Sequence, residues 1–390
     1  MSWDYVKLKN ICQIKSGKRL PKGTGFSDIK TEFPYIRARD IKNGIINENE
    51  LVYLSEDVQK KIQKYIVNTG DIVITIVGAS VGDVGYVKDS CNGFNLTENA
   101  VRLTEFDSRV NSKCLLYMLN SKKYWELMQQ IAGGSAQPKL GIYKLESIPL
   151  DLPPTEIQNR IADILSSYDN LIENNQKQIK LLEEAAQRLY KEWFVDLHFP
   201  GYEDAKLVNG VPEGWEITPI NMVAKIKAGG DKPKNFSEKM TNENKIPVFA
   251  NGITEKGLMG FTDKAVISNP SVTISARGTV GVVFLRIEPY VPIVRLISVT
   301  PIKDKMDVFY LYLYLVNQNF RSTGAAQQQI TVPLLKSKNI ICPSDNLRES
   351  FNGVITPIFN KIEILENHVN KLTEVRDCLL PKLISGEIEV

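Results

Sequence analysis

The sequence predicts a mixed α/β (α+β) protein with a pseudo-two-fold internal repeat: two globular domains separated by two long helices that form an antiparallel intramolecular coiled coil. Three observations predict this fold. The 390-residue chain contains two similar halves, each half ends in a long heptad pattern, and β-branched segments typical of strands precede each heptad pattern. A hydrophobic content of 43% and a charged content of 24% are ordinary for a globular protein of two or three domains.

The two halves begin alike. Trp3 opens WDYVKLKNICQIKSGKRLP and Trp215 opens WEITPINMVAKIKAGGDKP, which align without gaps so that Gly17 matches Gly229. Further on, ITIVGASVG (74–82) resembles VTISARGTVG (272–281), and each is typical of a β-branched strand that ends in a glycine turn. We therefore expect strands near 72–78, 84–88, 99–104, 272–276, 281–286 and 293–300, and helices near 112–131 and 307–321.

The two halves also end alike, in a second gapless alignment that pairs Pro153 with Pro343. GSAQPKL (134–140) matches GAAQQQI (324–330), and the register continues into two heptad patterns, each with nine apolar residues among ten positions. The first pattern comprises Ile161, Leu165, Tyr168, Ile172, Asn175, Ile179, Leu182, Ala186, Leu189 and Trp193. The second comprises Phe351, Ile355, Ile358, Ile362, Leu365, Val369, Leu372, Arg376, Leu379 and Leu383.

Two apolar stripes of equal length most simply bury each other, and a two-fold relation between the halves makes the helices antiparallel. The alternative is that each helix packs on its own globular neighbour. A polar residue inside such a seam commonly fixes the register, which is the role we expect for Asn175. Pro357 lies inside the second pattern and predicts a kink or a late helix start there.

The domain boundaries follow from proline and glycine signals. LPPTE (152–156) and CPSDN (342–346) precede the two helices, and three glycines with two prolines mark residues 198–215 as a linker. The predicted organisation is a first globular domain (1–152), a central helix (153–197), a linker (198–214), a second globular domain (215–343), and a C-terminal helix and tail (344–390).

Charge and cysteine usage narrow the functional class. Residues 1–44 carry ten Lys/Arg against four Asp/Glu, whereas 156–196 carry five against eight, so we expect the first part to meet a polyanion and the helix to meet a protein. The five cysteines are far apart and are expected to be reduced thiols. No apolar run predicts a membrane span or an export signal, so a cytoplasmic location is expected.

The search for a catalytic or metal site finds no candidate. The two histidines, His198 and His368, have no ligand partners at metal-binding spacing, and there is no P-loop. KGTGF (22–26) is not preceded by a strand, so it is interpreted as a flexible basic loop. DLPP (151–154) superficially resembles a methyltransferase loop, but Thr155 follows it instead of an aromatic residue. A duplicated chain without a catalytic motif favours a protein with two binding domains over an enzyme.

Candidate binding residues occur in matched places of the two halves. Flexible cations beside glycines suit phosphate contacts, although any single one of them can be an ordinary solvated side chain. In the first half the candidates are Lys18, Arg19, Lys22, Arg37 and Arg39. In the second half the cations of the corresponding stretch are Lys225, Lys227, Lys232 and Lys234.

The two glycine- and glutamine-containing loops are the more specific signal. Small residues permit close backbone approach, glutamine can pair with adenine, and lysine can donate to guanine in the major groove of DNA. Helix capping is the structural alternative for any one of these residues. The candidates are Gln137, Lys139, Gln327, Gln328 and Gln329, with Arg277 in SARGTVG as a further base or phosphate contact.

These residues resemble the specificity subunit of a type I restriction–modification system. The resemblance covers essentially the whole chain and is carried by LYKEWFVDLHFPG (189–201), GVPEGWE (210–216), the two G-x-x-Q loops and LLPKLISGEIEV (379–390). The chain departs from the family's LPPLxEQ before the first helix, where it has LPPTEIQ. It departs further at CPSDNLRES (342–350).

The resemblance implies that each globular domain is a target-recognition domain for one half of a bipartite DNA sequence. It implies that the antiparallel helices dock two adenine-N6 methyltransferase subunits, and that restriction subunits join outside these. S-adenosylmethionine, ATP and Mg²⁺ then belong to the partners, so this chain is expected to be non-catalytic and to hold no cofactor of its own. The partners are expected to be double-stranded DNA and these subunits, with no membrane.

The predicted helix length suggests a purpose for the coiled coil. The seam from Ile161 to Trp193 spans 33 residues, or about 48 Å, which matches about 14 base pairs of duplex. The helices are therefore expected to set the unread gap between two half-sites. Two other hypotheses remain open: a coiled-coil scaffold carrying two ligand-binding modules unrelated to DNA, and an endonuclease with its own carboxylate–metal site.

Overall fold

The computed structural model describes residues 3–133, 138–208, 210–320 and 329–390. The chain forms two compact units: the first comprises the chain up to Asn174 together with His368–Val390, and the second comprises Asn175–Asn367. The α-helices of the described residues are α1 (Glu56–Ile62), α2 (Ser112–Asn120), α3 (Lys122–Ala132), α4 (Ile142–Glu146), α5 (Thr155–Phe194), α6 (Val308–Val316), α7 (Val332–Ser337) and α8 (Asp345–Ser385). Both α5 and α8 contribute residues to both units.

The first unit is built on an antiparallel sheet of order β2-β10-β7-β8. A second sheet, β6-β3-β9, includes a parallel pair, and β1-β11 and β4-β5 form two-stranded ribbons. The strands are β1 (Asp4–Lys7), β2 (Gln13–Ser16), β3 (Pro34–Ile36), β4 (Ile41–Lys42), β5 (Ile45–Ile46), β6 (Val52–Tyr53), β7 (Ile72–Thr75), β8 (Val84–Tyr86), β9 (Asn95–Leu96), β10 (Ala100–Thr104) and β11 (Pro149–Leu152).

Alternation along β7 explains how the first unit is packed. Ile72 and Ile74 point to one face of the sheet, where they join a core that includes Leu115 of α2. Val73 points to the other face and joins a separate apolar cluster with Ile36. Because both faces of β7 are covered, its side chains are apolar on both sides, as expected for a central strand.

The second unit repeats both sheets of this topology and the ribbon β1-β11. Its main sheet has the order β15-β21-β18-β19, its three-stranded sheet the order β17-β16-β20, and β14-β22 and β12-β13 form ribbons. The strands are β12 (Leu207–Val208), β13 (Val211–Pro212), β14 (Glu216–Pro219), β15 (Ala224–Ala228), β16 (Ile246–Phe249), β17 (Leu258–Thr262), β18 (Ser271–Ser275), β19 (Val283–Arg286), β20 (Val291–Pro292), β21 (Leu296–Pro301) and β22 (Asn339–Cys342).

The internal repeat is confirmed at the level of single elements. In the alignment of the two beginnings, β1 and the 3₁₀ turn Leu8–Asn10 recur as β14 and the 3₁₀ turn Ile220–Met222. In the alignment of the two ends, β11 recurs as β22, and the first residues of α5 and α8, Thr155 and Asp345, fall on matched positions. All six strands expected from the sequence are present within a few residues of their expected bounds.

Within each unit, α5 and α8 pack against each other in the antiparallel direction. In the first unit, Ile161 and Leu165 of α5 share a core with Leu383 of α8. In the second unit, the rings of Trp193 in α5 and Phe351 in α8 lie 5.5 Å apart between centroids. The same helix segments also pack on the globular core of their unit, so the two packing alternatives occur together.

Every one of the twenty predicted seam positions is buried or half-buried. Asn175 is half-buried. A polar contact across the helices occurs elsewhere, where Arg376 Nη1 donates to Asp169 Oδ1 at 2.7 Å and the Tyr117 hydroxyl donates to the same carboxylate. Arg376 is the one polar position of the second heptad pattern, so an ion pair accompanies the apolar seam there.

One expectation about the helices was wrong, and of the two alternatives given for Pro357 the late helix start does not occur. The helix expected near 112–131 is two helices, α2 and α3, that meet at Ser121, whose φ of −68° and ψ of 152° are extended. The late start considered for Pro357 does not occur, because α8 begins at Asp345 and continues through Pro357. Pro357 and Gly353, whose carbonyl lies four residues before the proline, are both on the exposed side of the helix.

The departure of the sequence before the two helices is accommodated by equivalent contacts. Gln158, buried near the start of α5, donates to the Arg109 carbonyl at 2.9 Å and accepts from the Asn111 backbone N–H at 2.8 Å. Arg348 occupies the matching place in α8 and donates to the Lys305 carbonyl at 2.8 Å. Both side chains therefore tie the start of a long helix to the loop that precedes α2 or α6.

Candidate nucleic-acid interface

The basic loop of the first unit is fixed by backbone contacts immediately after β2. The Gly17 N–H donates to the Ala100 carbonyl at 3.0 Å, and the Lys18 N–H donates to the Leu96 carbonyl at 2.9 Å. A Cβ at Gly17 would lie 2.0 Å from the Thr97 carbonyl oxygen, so only glycine fits this approach. The sequence after β2 is therefore held at a defined place beside residues 96–100.

The cations of this loop are exposed, and two of them are oriented by neighbours. Lys18 Nζ lies 5.4 Å from the centre of the Tyr65 ring, and Arg19 Nε donates to Glu98 Oε1 at 2.8 Å. The hydrogen bond to Glu98 raises the pKa of Arg19, which keeps the guanidinium charged. Lys22 is exposed and its ammonium has no partner among the described residues.

Arg37 and Arg39 are placed differently from each other. The Arg37 guanidinium makes two hydrogen bonds to the buried carboxylate of Asp40, at 2.9 and 2.8 Å, and also donates to the Glu50 carbonyl. Its side chain is only 18% exposed, so it braces the turn and has few donors left for a phosphate. Arg39 is 67% exposed and its Nε lies 3.9 Å from Asp40, which leaves it accessible. The geometry supports Arg39 as a contact and does not support Arg37.

Two sequence motifs that were recognised separately lie side by side in both units. In the first unit, the Leu140 N–H at the end of the small-residue loop donates to the Ile76 carbonyl at 2.9 Å, where the glycine turn begins. In the second unit, the Ile330 N–H donates to the Ala276 carbonyl at 3.0 Å. Lys139, next to Leu140, is exposed on this junction.

A third segment joins the same junction and also carries the basic loop. The Ile76 N–H donates to the Asn99 carbonyl at 2.8 Å, and the Ala276 N–H donates to the Arg295 carbonyl at 2.8 Å. In the second unit the Gly229 N–H donates to the Leu296 carbonyl at 2.7 Å, which repeats the bond of Gly17 in the first unit. Each unit thus brings a basic loop, a glycine turn and the end of a small-residue loop to one place.

The cations of the second unit are also exposed. Lys227 lies on β15, Lys234 is solvent-exposed, and Lys232 Nζ lies 3.5 Å from the centre of the Phe236 ring. Arg277 is exposed in the glycine turn, and its carbonyl accepts a hydrogen bond of 2.7 Å from Asn251 Nδ2. These positions support a basic surface around the turn at Arg277.

The glutamine candidates are only partly covered by the structure. Gln329 is exposed beside Ile330, at the junction described above. Gln137, Gln327 and Gln328 lie outside the described residues. Their roles stay predictions.

Three residues of this interface were missed by sequence reasoning: Asn99, Asn251 and Arg295. Asn251 lies in FANGITEKG (249–257), a segment that carries no motif shared with the first half. Arg295 and Asn99 lie in connections with no motif of their own.

Two buried thiols are held in the protonated form, and the described residues contain no candidate metal site. Burial raises the pKa of Cys12 to about 12 and that of Cys114 to about 12, so both thiols stay protonated. Within residues 3–133, 138–208, 210–320 and 329–390, no group of three His, Cys, Asp or Glu side chains is placed to hold a metal ion. In the same ranges, no helix is long and apolar enough to cross a bilayer.

Two copies of one loop-bearing α/β unit, joined through two long antiparallel helices, define a class of two-part binding proteins. The sequence matches the family model of the type I restriction modification DNA specificity domain over residues 1–184 and 212–374. These ranges cover most of the chain, so the chain belongs to this family of DNA specificity proteins.

Individual relatives match over nearly the full length. The chain is 27% identical to the type I restriction enzyme MjaIX specificity subunit of Methanocaldococcus jannaschii over 423 aligned positions, which cover 100% of this chain and 94% of that protein. It is 25% identical to a type I specificity subunit of Mycoplasma pneumoniae, with 90% and 88% covered. The crystal structure of the type I restriction–modification S subunit from M. genitalium has the same fold, with a TM-score of 0.62, 19% identity, and coverage of 98% and 96%.

Proposed function

We propose that this chain is the DNA-reading subunit of a type I restriction–modification complex in the cytoplasm, and that each unit reads one half of a bipartite DNA target. The observation that supports this proposal most is the repeated junction. In both units a basic loop, a glycine turn and a small-residue loop meet through the same backbone hydrogen bonds. Membership of the DNA specificity family supports this function over a ligand-binding scaffold unrelated to DNA.

The chemistry of the junction fits DNA. Exposed cations such as Lys18, Lys22 and Lys234 suit phosphates, which fix position without reading sequence. Exposed Arg277 and Gln329 carry groups that can pair with base edges in the major groove. A glycine turn lets the duplex approach the backbone closely.

We assign the catalytic chemistry to partner subunits. Two adenine-N6 methyltransferase subunits would supply S-adenosylmethionine chemistry, and restriction subunits would supply ATP- and Mg²⁺-dependent translocation and cleavage. The long helices are the proposed docking surface for the methyltransferase subunits, and their side chains facing away from the seam include exposed Leu171, Leu181 and Ile364. This chain would then bind DNA and partners without catalysing a reaction.

We further propose that α5 and α8 set the unread gap between the half-sites. Each helix rises about 1.5 Å per residue, so removal of seven residues from both shortens the pair by roughly 10 Å, or about three base pairs. Trp193 of α5 lies against Phe351 of α8. Because the helices are antiparallel, counting back from Trp193 and forward from Phe351 by equal steps brings residues 172–178 of α5 opposite residues 366–372 of α8. These two heptads are therefore the matched pair to remove. A loss of seven residues turns each helix by only about 20°, which preserves the seam.

The function is tested by expressing the chain with its methyltransferase subunit and mapping N6-methyladenine across a genome. A two-part motif with a fixed gap is expected, and the heptad-deleted variant is expected to keep both half-sequences with a shorter gap. Methylation without a two-part motif would contradict the proposal, and an unchanged gap in the deletion variant would contradict the role of the helices.

Salt dependence provides an independent test on purified complex and duplex DNA. Contacts to several phosphates predict that affinity falls steeply as salt rises. Lys22→Ala is expected to reduce the slope of log affinity against log salt by about 1, whereas Lys303→Ala, at an exposed turn after β21, should leave it unchanged. Equal slopes for both variants and the wild type would show that Lys22 does not contact a phosphate of the DNA.

A further inference from the structure

Arg295 occupies an unusual backbone position in the second unit. It lies between β20 and β21 with a φ of 72°, in the left-handed region that arginine rarely adopts. Its carbonyl accepts from the Ala276 N–H at 2.8 Å, and Leu296, the next residue, pairs with Ser275 in the sheet. The Leu296 N–H also donates to the Ile293 carbonyl at 3.2 Å, so a closed turn holds Arg295 in this conformation.

The guanidinium of Arg295 is available. The residue is exposed, and its side chain has no hydrogen bond or ion pair within the described part of the chain. Its neighbour Val294 is 50% exposed, so the tip of this connection presents an apolar group beside a cation. Arg286, by contrast, is buried against the Phe249 ring and serves the fold.

Arg295 also lies at the junction of the proposed reading loops. Through Ala276 it adjoins the glycine turn that contains Arg277, and Ala276 in turn accepts the hydrogen bond from Ile330 beside Gln329. Asn251 binds the Arg277 carbonyl from the opposite side. A strained, fixed backbone that carries a free side chain at a binding surface is the arrangement expected of a residue that contacts a ligand.

The first unit has asparagine at the equivalent place. The Ile76 N–H donates to the Asn99 carbonyl at 2.8 Å, as the Ala276 N–H does to Arg295, and the following residues Ala100 and Leu296 both accept from a glycine. The side-chain amide of Asn99 likewise has no partner among the described residues. The same place in the hydrogen-bonding pattern therefore carries a free, exposed arginine in one unit and a free, half-buried asparagine in the other, and only Arg295 has a positive φ.

These two side chains have different preferences for base edges. Arginine donates two hydrogen bonds to N7 and O6 of guanine, whereas asparagine pairs with N6 and N7 of adenine in the major groove. We propose that Arg295 and Asn99 are matched specificity-determining residues, of which Arg295 reads a guanine in one half-site and Asn99 reads an adenine in the other. This inference rests on the proposed DNA-reading function and assigns the base class at one position of each half-site.

The test uses the full chain in complex with its methyltransferase subunit and compares methylation of synthetic duplexes that carry the wild-type motif or single base changes. Arg295→Asn removes the guanidinium and keeps a residue that adopts the left-handed backbone readily. It is expected to lower discrimination at one guanine by roughly 10- to 100-fold, with the other half-site and the gap unchanged. Asn99→Ala is expected to relax an adenine position in the opposite half-site.

Lys303→Ala is the matched control, because it removes one exposed cation at the other end of β21. It should leave discrimination at every position unchanged. Arg295→Lys, which keeps the charge but not the paired donors, should fall between the wild type and Arg295→Asn.

Five outcomes are informative. Loss of discrimination at one guanine in Arg295→Asn and at one adenine of the other half-site in Asn99→Ala supports the assignment. A uniform fall in methylation with an intact motif identifies Arg295 as a phosphate contact and overturns it, as does an unchanged motif. Relaxation of the same half-site by both variants also overturns it. Absence of any two-part motif in the wild-type complex would instead overturn the proposed function, and this inference with it.

Discussion

Replacement of Phe194 by alanine should destabilise the second unit selectively. Phe194 is the last residue of α5 and is 2% exposed. Its ring centre lies 4.8 Å from those of both Tyr310 and Phe351, with interplanar angles of 79° and 82°. Trp215 lies 5.7 Å away on another side. The ring thus connects α5, α6, α8 and the segment that opens the second half.

The cost follows from burial and from these edge-to-face contacts. Truncation of a buried phenylalanine to alanine usually costs about 3–5 kcal/mol, and each favourable ring pair contributes about 0.5–1.5 kcal/mol beyond burial. Because five aromatic rings lie within 6.1 Å of the Phe194 ring centre, we expect the upper part of the range, about 4–5 kcal/mol. For a unit of about 150–250 residues, this lowers the midpoint of thermal unfolding by roughly 10 °C.

Hydrogen exchange gives a readout for each unit separately. In Phe194→Ala, amides of β18 and β21 should exchange faster by the factor that corresponds to about 4 kcal/mol, roughly a thousandfold. Amides of β7 and β10 in the first unit should change much less. Val195→Ala is the matched control, because Val195 is the next residue, is 56% exposed, and should change stability by less than about 0.5 kcal/mol.

The reasoning is refuted if Phe194→Ala and Val195→Ala differ by less than about 1 kcal/mol in the free energy of unfolding of the second unit. It is also refuted if both units lose protection equally.

Three further predictions concern charge and close packing. Burial raises the pKa of Glu183, so its charged carboxylate opposes folding once the pH exceeds the ordinary glutamate range. Glu183→Gln should therefore stabilise the second unit at pH 7. In thermal melts measured across pH, this gain should vanish below about pH 4. Gly17→Ala should cost more than about 2 kcal/mol in urea unfolding and weaken DNA binding, whereas Gly25→Ala, with open space at its Cβ, should be nearly neutral. A double-mutant cycle on Asp169 and Arg376, measured by chemical unfolding, should give a coupling energy of about 1 kcal/mol, because the ion pair is partly exposed. A coupling energy near zero would show that this ion pair does not help to fix the register of the two helices.

The repeat made the fold predictable. The strands of the two main sheets and the two long helices had counterparts in the other half, so a weak local pattern was supported twice. β7 and β18 are central strands with β-branched side chains on both faces, which is a strong local signal. The antiparallel helices followed from two seams of equal length, because an apolar stripe must be covered and the matching stripe is the simplest cover.

The break between α2 and α3 was less accessible to sequence reasoning. Ser121 is an ordinary residue in a helical pattern, and no glycine or proline marks the end of α2. In the structure its hydroxyl donates to the Met118 carbonyl at 2.6 Å, which closes the end of α2 and lets a new helix begin at Lys122. Whether one helix or two form here depends on how the helical segments pack on the sheet.

The candidate site was predicted as a set of loops more accurately than as a set of side chains. A motif such as GSAQPKL marks a loop because of its small residues, and both such loops end at the junction. Burial of a charge depends on partners far along the chain, so Arg37 was indistinguishable from Arg39 until Asp40 and Glu50 were seen to hold it.

The two units show which parts of the scaffold must match and which are free to differ. Gly17 and Gly229 both approach a carbonyl oxygen too closely for any side chain, at 2.0 and 2.4 Å from the added Cβ, because each joins a loop to the central sheet. The interior face of that sheet differs: in the first unit Arg102 lies near Asp71, whereas in the second unit the Tyr290 hydroxyl bridges two serines.

The proposed binding edge differs in the same way, with Asn99 in one unit and Arg295 in the other at the same place in the hydrogen-bonding pattern. A duplicated protein that read identical half-sites would gain nothing from different side chains there. On the proposed function, different side chains at matched places would give two readers with separate base preferences. The asymmetry of the interface therefore favours a target with two unlike halves, a feature that the methylation map of the wild-type complex reads directly.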